Sequence, residues 1–157
     1  MSYWWCPKCK WTTEQPDHVD AVGHVCGKKS ENLKRLHAPR VNVRAAIVEE
    51  ANSRFPKEAC GLILTTGTVI MAKNIAHDAT NNFLVEPDLV EMWWPTGAVS
   101  GVWHSHCFDP AVPSEADEQK AVPGLDCWIY SVMDEQLGIY RPDRQGRLQL
   151  ISMEDLA

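Results

Sequence analysis

The chain has 157 residues, 45% of them hydrophobic and 23% charged, proportions ordinary for a soluble globular protein and sufficient for one medium domain or a small domain plus a compact module. The net charge of −6 is uneven: residues 1–40 carry seven Lys/Arg against four Asp/Glu, whereas the rest is strongly acidic, which argues against broad nucleic-acid binding and leaves the basic head as a solvated surface. No apolar run approaches the ~18 residues of a bilayer-spanning helix, and no basic-then-apolar leader opens the chain, so the sequence predicts a protein that stays in the compartment where it is made.

Residues 1–38 read as a separate module ending in a basic linker. Cys6-Pro7-Lys8-Cys9 is the tight knuckle that lets two thiolates grip one zinc. Downstream lie His18, His24 and Cys26, the last two as H-x-C. The expected ligands are Cys6, Cys9, His24 and Cys26, with His18 as the substitute for His24. So short a segment cannot build a sizeable core, and a structural metal would supply its folding free energy. Redox use of the C-x-x-C lacks the adjacent βαβ pattern it would need. Tyr3, Trp4, Trp5 and Trp11 are expected to cover the small zinc site.

Residues 39–157 form the second unit. Over 41–55 the apolar positions Val43, Ala46, Ile47, Ala51 and Phe55 recur mostly at three or four, which predicts an amphipathic helix stopping before Pro56. Ala59–Leu64 reads as a buried strand, and Thr66-Gly67 turns it into a hairpin partner over Thr68–Ala72. A strand over Asn82–Glu86 and a short Pro-led helix over Pro87–Trp94 follow. Ala98–His106 reads as a central strand, and Ser114 as the N-cap of a helix with Asp117 at its third position. Asp126–Met133 and Leu137–Arg141 read as strands, and Asp143–Gly146 turns into a last strand over Arg147–Ile151. The pattern is α/β (α+β), with a mixed, partly antiparallel sheet flanked by helices. The Trp93-Trp94 pair is expected in the core, as are Cys60 and Cys127, while His37 and His77 read as surface groups.

The chemistry concentrates in His104-Ser105-His106. Two histidines one residue apart point the same way on a strand. Asp117 follows as a candidate third ligand, and two His plus one carboxylate leave a zinc position open for water. Such a water needs a proton acceptor. Glu58 leads an apolar strand, where an acidic residue is unexpected unless it is paired or functional. Taken alone, each has a second reading: Glu58 as an ion-pair partner of Lys57 or Arg54, Ser114 as a helix N-cap only, and Asp117 as a complement to the helix dipole only.

With E-A-C-G-L-I-L, then H-S-H, seven residues and S-E-A-D, the chain resembles the JAMM/MPN+ metalloprotease family, whose pattern is an upstream Glu followed by H-[ST]-H-x7-S-x2-D. The resemblance covers roughly residues 41–152. It implies catalytic zinc on His104, His106 and Asp117, with Glu58 as the general base that later delivers its proton to the leaving amine. It also implies that Ser114 donates a hydrogen bond to the developing oxyanion. The implied reaction is hydrolysis of an amide, often the isopeptide bond of a ubiquitin-like tail. Together with the structural ion read from the Cys and His residues of the zinc-ribbon-like head, the expected inventory is two Zn2+ ions, one catalytic and one structural. Cys107 stands where many relatives have proline, and is expected to be inert rather than an extra ligand or a redox thiol. A narrower stretch, Lys73-Asn74-Ile75-Ala76 with Asn82–Asp88, is similar to small prokaryotic JAMM proteins and to phage tail-assembly proteins. The resemblance as a whole implies a protein or peptide substrate, a ubiquitin-like or a phage tail protein, and the narrower likeness a location in the bacterial cytoplasm or a virion. The competing expectation is a non-enzymatic phage tail or assembly module that keeps the fold.

Overall fold

The structure, a computed structural model, describes residues 2–6, 8, 12–15, 21–26, 29–32, 34–36 and 39–157. Within residues 1–38 it contains β1 (Ser2–Trp5), β2 (Thr12–Gln15), β3 (Gly23–Cys26), β4 (Lys29–Asn32) and β5 (Lys34–Leu36). β1 lies between β2 and β5 in an antiparallel sheet, and β3 pairs with β4.

From residue 39 onward the elements are α1 (Val43–Arg54), β6 (Cys60–Leu64), β7 (Val69–Ala72), α2 (Pro87–Trp93), β8 (Val99–His106), α3 (Glu115–Lys120), β9 (Asp126–Ser131), β10 (Gln136–Pro142) and β11 (Leu148–Asp155). The six strands form one sheet in the order β11-β10-β9-β8-β6-β7. Only β8 and β9 run parallel; every other pair is antiparallel. The architecture is therefore mixed α+β, a six-stranded sheet flanked by helices. Parallel neighbours need a crossover, and α3 lies in the one from β8 to β9. Ligand sites in such arrangements gather outside the carboxyl end of the parallel strand, where His106 ends β8.

Both faces of the sheet are covered, which explains why all five residues of β6 are buried and why its sequence is an unbroken apolar run. On one face Ala46, Ile47 and Ala51 of α1 pack against Ile63, Met71, Trp103 and Tyr130. On the other, Leu89 of α2 and Phe83 pack against Cys60, Leu62 and Ile70. Alternation along β8 sends Trp103 to the α1 face and Val102 to the α2 face, and the histidines follow Val102. Gly61 sits where β7 and Trp103 approach most closely: a Cβ there would lie 1.9 Å from the Ile70 carbonyl oxygen and 2.4 Å from Trp103 Nε1.

The expected strand over 82–86 is not formed. Only Val85 makes a bridge, to Asn74. Its neighbours bond elsewhere: Leu84 N–H donates to Asn74 Oδ1, and the Phe83 carbonyl accepts from Lys120. The last strand extends beyond Ile151, because β10 offers partners as far as Gln136, which pairs with Asp155. Trp93 packs partly buried against the α2 face, but Trp94 is exposed rather than in the core. Among the described residues no helix is long and apolar enough to cross a membrane.

Candidate metal centre

β8 and α3 bring the three expected ligands together. His104 and His106 leave the same face of β8, with their Nε2 atoms 3.2 Å apart. The two Asp117 carboxylate oxygens lie 3.1 Å away, one from each histidine Nε2. All three side chains are buried. Zinc bonds of about 2.0–2.1 Å in tetrahedral geometry place ligand atoms about 3.3 Å apart, so these separations suit one ion without rearrangement. Among the described residues this is one group of His, Cys, Asp and Glu able to hold a metal.

The chain fixes each ligand separately. His106 Nδ1 lies 2.8 Å from the Pro110 carbonyl, an acceptor that favours a proton on Nδ1 and leaves Nε2 facing Asp117. His104 Nδ1 is buried with no hydrogen-bond partner. Its ring is held instead by stacking on Phe83, with centroids 4.2 Å apart and planes at 17°. Asp117 belongs to a capping box: its backbone N–H donates to Ser114 Oγ at 3.1 Å, and Ser114 N–H donates back to its carboxylate at 2.9 Å. The cap that starts α3 thus also aims the carboxylate. Ser105 points to the opposite face and accepts from the Ala59 N–H at 2.8 Å, tying β8 to the residue after Glu58.

Electrostatics divides the three ligands. Burial disfavours charge on His104, and its pKa falls below the ordinary imidazole value. Burial acts the same way on His106, but the Asp117 and Pro110 hydrogen bonds outweigh it and the pKa rises. Burial would raise Asp117, but the hydrogen bonds to both histidines hold its carboxyl far below the usual carboxylate range. The centre therefore sets a carboxylate against two ring nitrogens, a donor set that could hold a cation.

Glu58 lies just before β6, in the loop rather than at the strand's first residue. It is 6% exposed, and burial pushes its carboxyl up to about 7, with His106 acting in the opposite direction. It is not absorbed by a surface pair, since Arg54 bonds Glu50 instead. Its backbone is anchored on both sides: its N–H donates to the Ala79 carbonyl, and its own carbonyl accepts from Asn74 Nδ2 at 2.8 Å. Asn74 also donates to the Asn82 carbonyl and accepts from the Ala76 and Leu84 N–H groups. Asn74 and Phe83 were missed as site residues by sequence reasoning, although both lie in the stretch that carried the narrower resemblance. Cys107 is buried and outside the triad, and burial pushes its thiol up to about 11, so it stays protonated.

In the head, Cys6 is buried and Cys26 half-buried in one small cluster with Trp4 and Val22. His24 lies in β3; Cys9, His18, Trp11 and His37 fall outside the described residues.

A family model described as prokaryotic homologs of the JAB domain matches residues 40–143, the span that holds the triad, Glu58 and Ser114. The chain belongs to this family. The JAB domain also has a solved likeness: the solution structure of protein DSY2949 from Desulfitobacterium hafniense matches with a TM-score of 0.56 at 20% identity, over 71% of this chain and 86% of that one. A likeness at that identity shows the fold. No curated protein matches the chain.

Proposed function

We propose that this JAB domain is a zinc-dependent hydrolase of peptide or isopeptide bonds, with zinc on His104, His106 and Asp117 and Glu58 as general base. The observation that carries the reading is the convergence of the buried His104, His106 and Asp117 ligand atoms within 4.8 Å of one another, with Glu58 buried at the same end of the sheet. Two imidazoles and one carboxylate are the donor set of zinc sites that keep one position open. When bound, zinc would polarise the amide carbonyl and bring the pKa of water down to about 7.

The remaining steps belong to the chain's own groups. A carboxyl at about 7 is poised to take a proton from the attacking water near neutrality and to return it to the leaving amine nitrogen. Ser114 is exposed at the start of α3, and its Oγ accepts from the Asp117 N–H. Its hydroxyl proton remains available for the oxyanion that forms as the carbonyl is attacked. A ubiquitin-like tail, a phage tail protein and a cell-wall cross-peptide all present an amide of the required kind. The same reading assigns a structural zinc to Cys6, Cys9, His24 and Cys26, supported by Cys6 and Cys26 sharing one cluster.

The test is Glu58→Gln, assayed by mass spectrometry against a peptide library. The variant should retain its zinc and lose at least about 100-fold in cleavage rate, the usual scale of a general base. Cleavage at the wild-type rate would remove Glu58 from the mechanism. A zinc-loaded wild type that cleaves nothing would favour an assembly module that keeps the fold.

A further inference from the structure

Beside the triad lies a cavity of about 300 Å³ that the proton-transfer steps leave unused. Its walls are apolar, with Phe83, Leu84, Val90, Trp94, Val122 and Leu125 contributing most of the character. They come from three separate stretches: the segment before α2, α2 with the turn after it, and the loop after α3. Leu84 is 53% exposed, Trp94 51%, Val122 40% and Val90 38%, so large apolar side chains face solvent around one concavity rather than singly.

The charged groups of the lining are already engaged. Asp117 faces the two histidines, and Asp126 is bonded by Arg141. Lys120 Nζ donates to the Phe83 carbonyl at 2.9 Å and lies 4.8 Å from the centre of its ring. The cavity adjoins the triad, since Asp117 belongs to both, and Phe83 lines the cavity while stacking on His104. An apolar cavity of about 150 Å³ holds benzene, so about twice that volume takes one large side chain with adjoining atoms. It lies at the lower limit of pockets that enclose whole ligands, about 300 Å³.

We propose that this cavity is the subsite for a bulky apolar side chain of the substrate, an aliphatic or aromatic residue flanking the amide attacked at the triad. The proposal rests on the hydrolytic reading and names its substrate class: peptide chains with a large apolar residue, rather than glycine or a charged residue, beside the scissile bond.

The experiment uses the full zinc-loaded chain and three probes: N-acetyl-phenylalanine hydroxamate, N-acetyl-glycine hydroxamate and the non-chelating N-acetyl-phenylalaninamide. Affinities come from calorimetry, and contacts from NMR shifts of the Trp94 indole and the Val90 and Val122 methyls. The phenylalanine hydroxamate should bind at least about tenfold tighter than the glycine one, the return expected for burying an aromatic side chain. Val122→Arg and Leu84→Glu, both at exposed positions, should each bring that preference below about twofold. Equal affinity of the two hydroxamates on zinc-loaded protein overturns the subsite and leaves the hydrolytic reading standing. If both hydroxamates fail because the triad holds no zinc, the hydrolytic reading falls and the amide decides the cavity. Shifts at Trp94 and Val122 that vanish in Val122→Arg keep it as an apolar side-chain site; no shifts overturn it.

Discussion

Glu58 is the residue on which the proposed chemistry turns, and its environment has a thermodynamic signature. Its carboxyl sits at about 7 in the folded chain against an ordinary value of 4.5, because burial penalises the charge. The folded state therefore binds that proton more tightly than the unfolded one. Stability from this group is complete below pH 4.5 and is lost as the pH rises through about 7. In the chelator-treated chain, Glu58→Gln should raise Tm at pH 8 by about 2–4 °C and change it little at pH 4.5. Calorimetric scans at the two pH values check this, and an equal shift at both would contradict the burial argument. The proposed hydrolysis would run the other way, since the carboxylate is the base it requires. A cation on the triad favours the ionised form, so the rate should climb with pH to a midpoint at or below about 7. Ser105 carries a second prediction at this scale. Ser105→Ala leaves the buried Ala59 N–H without its acceptor and should cost about 1–3 kcal/mol in urea unfolding. Ser105→Thr keeps the hydroxyl and should cost less.

At the scale of elements, the pairing of β6 with β8 brings the proposed base beside the candidate ligands. Cys60 lies opposite His104, so Glu58, two residues earlier, falls level with His106, the last residue of β8. That register depends on Gly61, whose missing Cβ admits the Ile70 carbonyl and Trp103. Gly61→Ala sets a methyl against backbone that cannot swing aside, and should destabilise by about 3 kcal/mol or more by denaturant titration. A loss under about 1 kcal/mol would mean that the two strands separate easily. The sequence made the two histidines legible because period-two alternation is local, and made Ser114 and Asp117 legible because a capping box spans only three residues. Segment 82–86 misled: its apolar residues look like a strand, but its backbone groups bond the Asn74 and Lys120 side chains. Asn74 and Phe83 were not legible as site residues for the same reason. One acts on the Glu58 carbonyl and the other on the His104 ring, contacts that exist only once the sheet has formed.

At the scale of the whole molecule, the six-stranded sheet holds the catalytic candidates, and the short strands of residues 1–38 hold the candidate ligands of a second zinc. The six-stranded sheet was legible as a mixture of strands and helices, but its order was not, because the parallel β8–β9 pair depends on a crossover that no local signal reveals. The central claim is that the triad is a metal site, and zinc counting by native mass spectrometry of the full chain addresses it most directly. Wild type should carry about two zinc ions, Cys6→Ser one fewer with the triad's ion retained, and His104→Ala/His106→Ala one fewer with the head's ion retained. An unchanged zinc count in the double histidine variant would contradict the account.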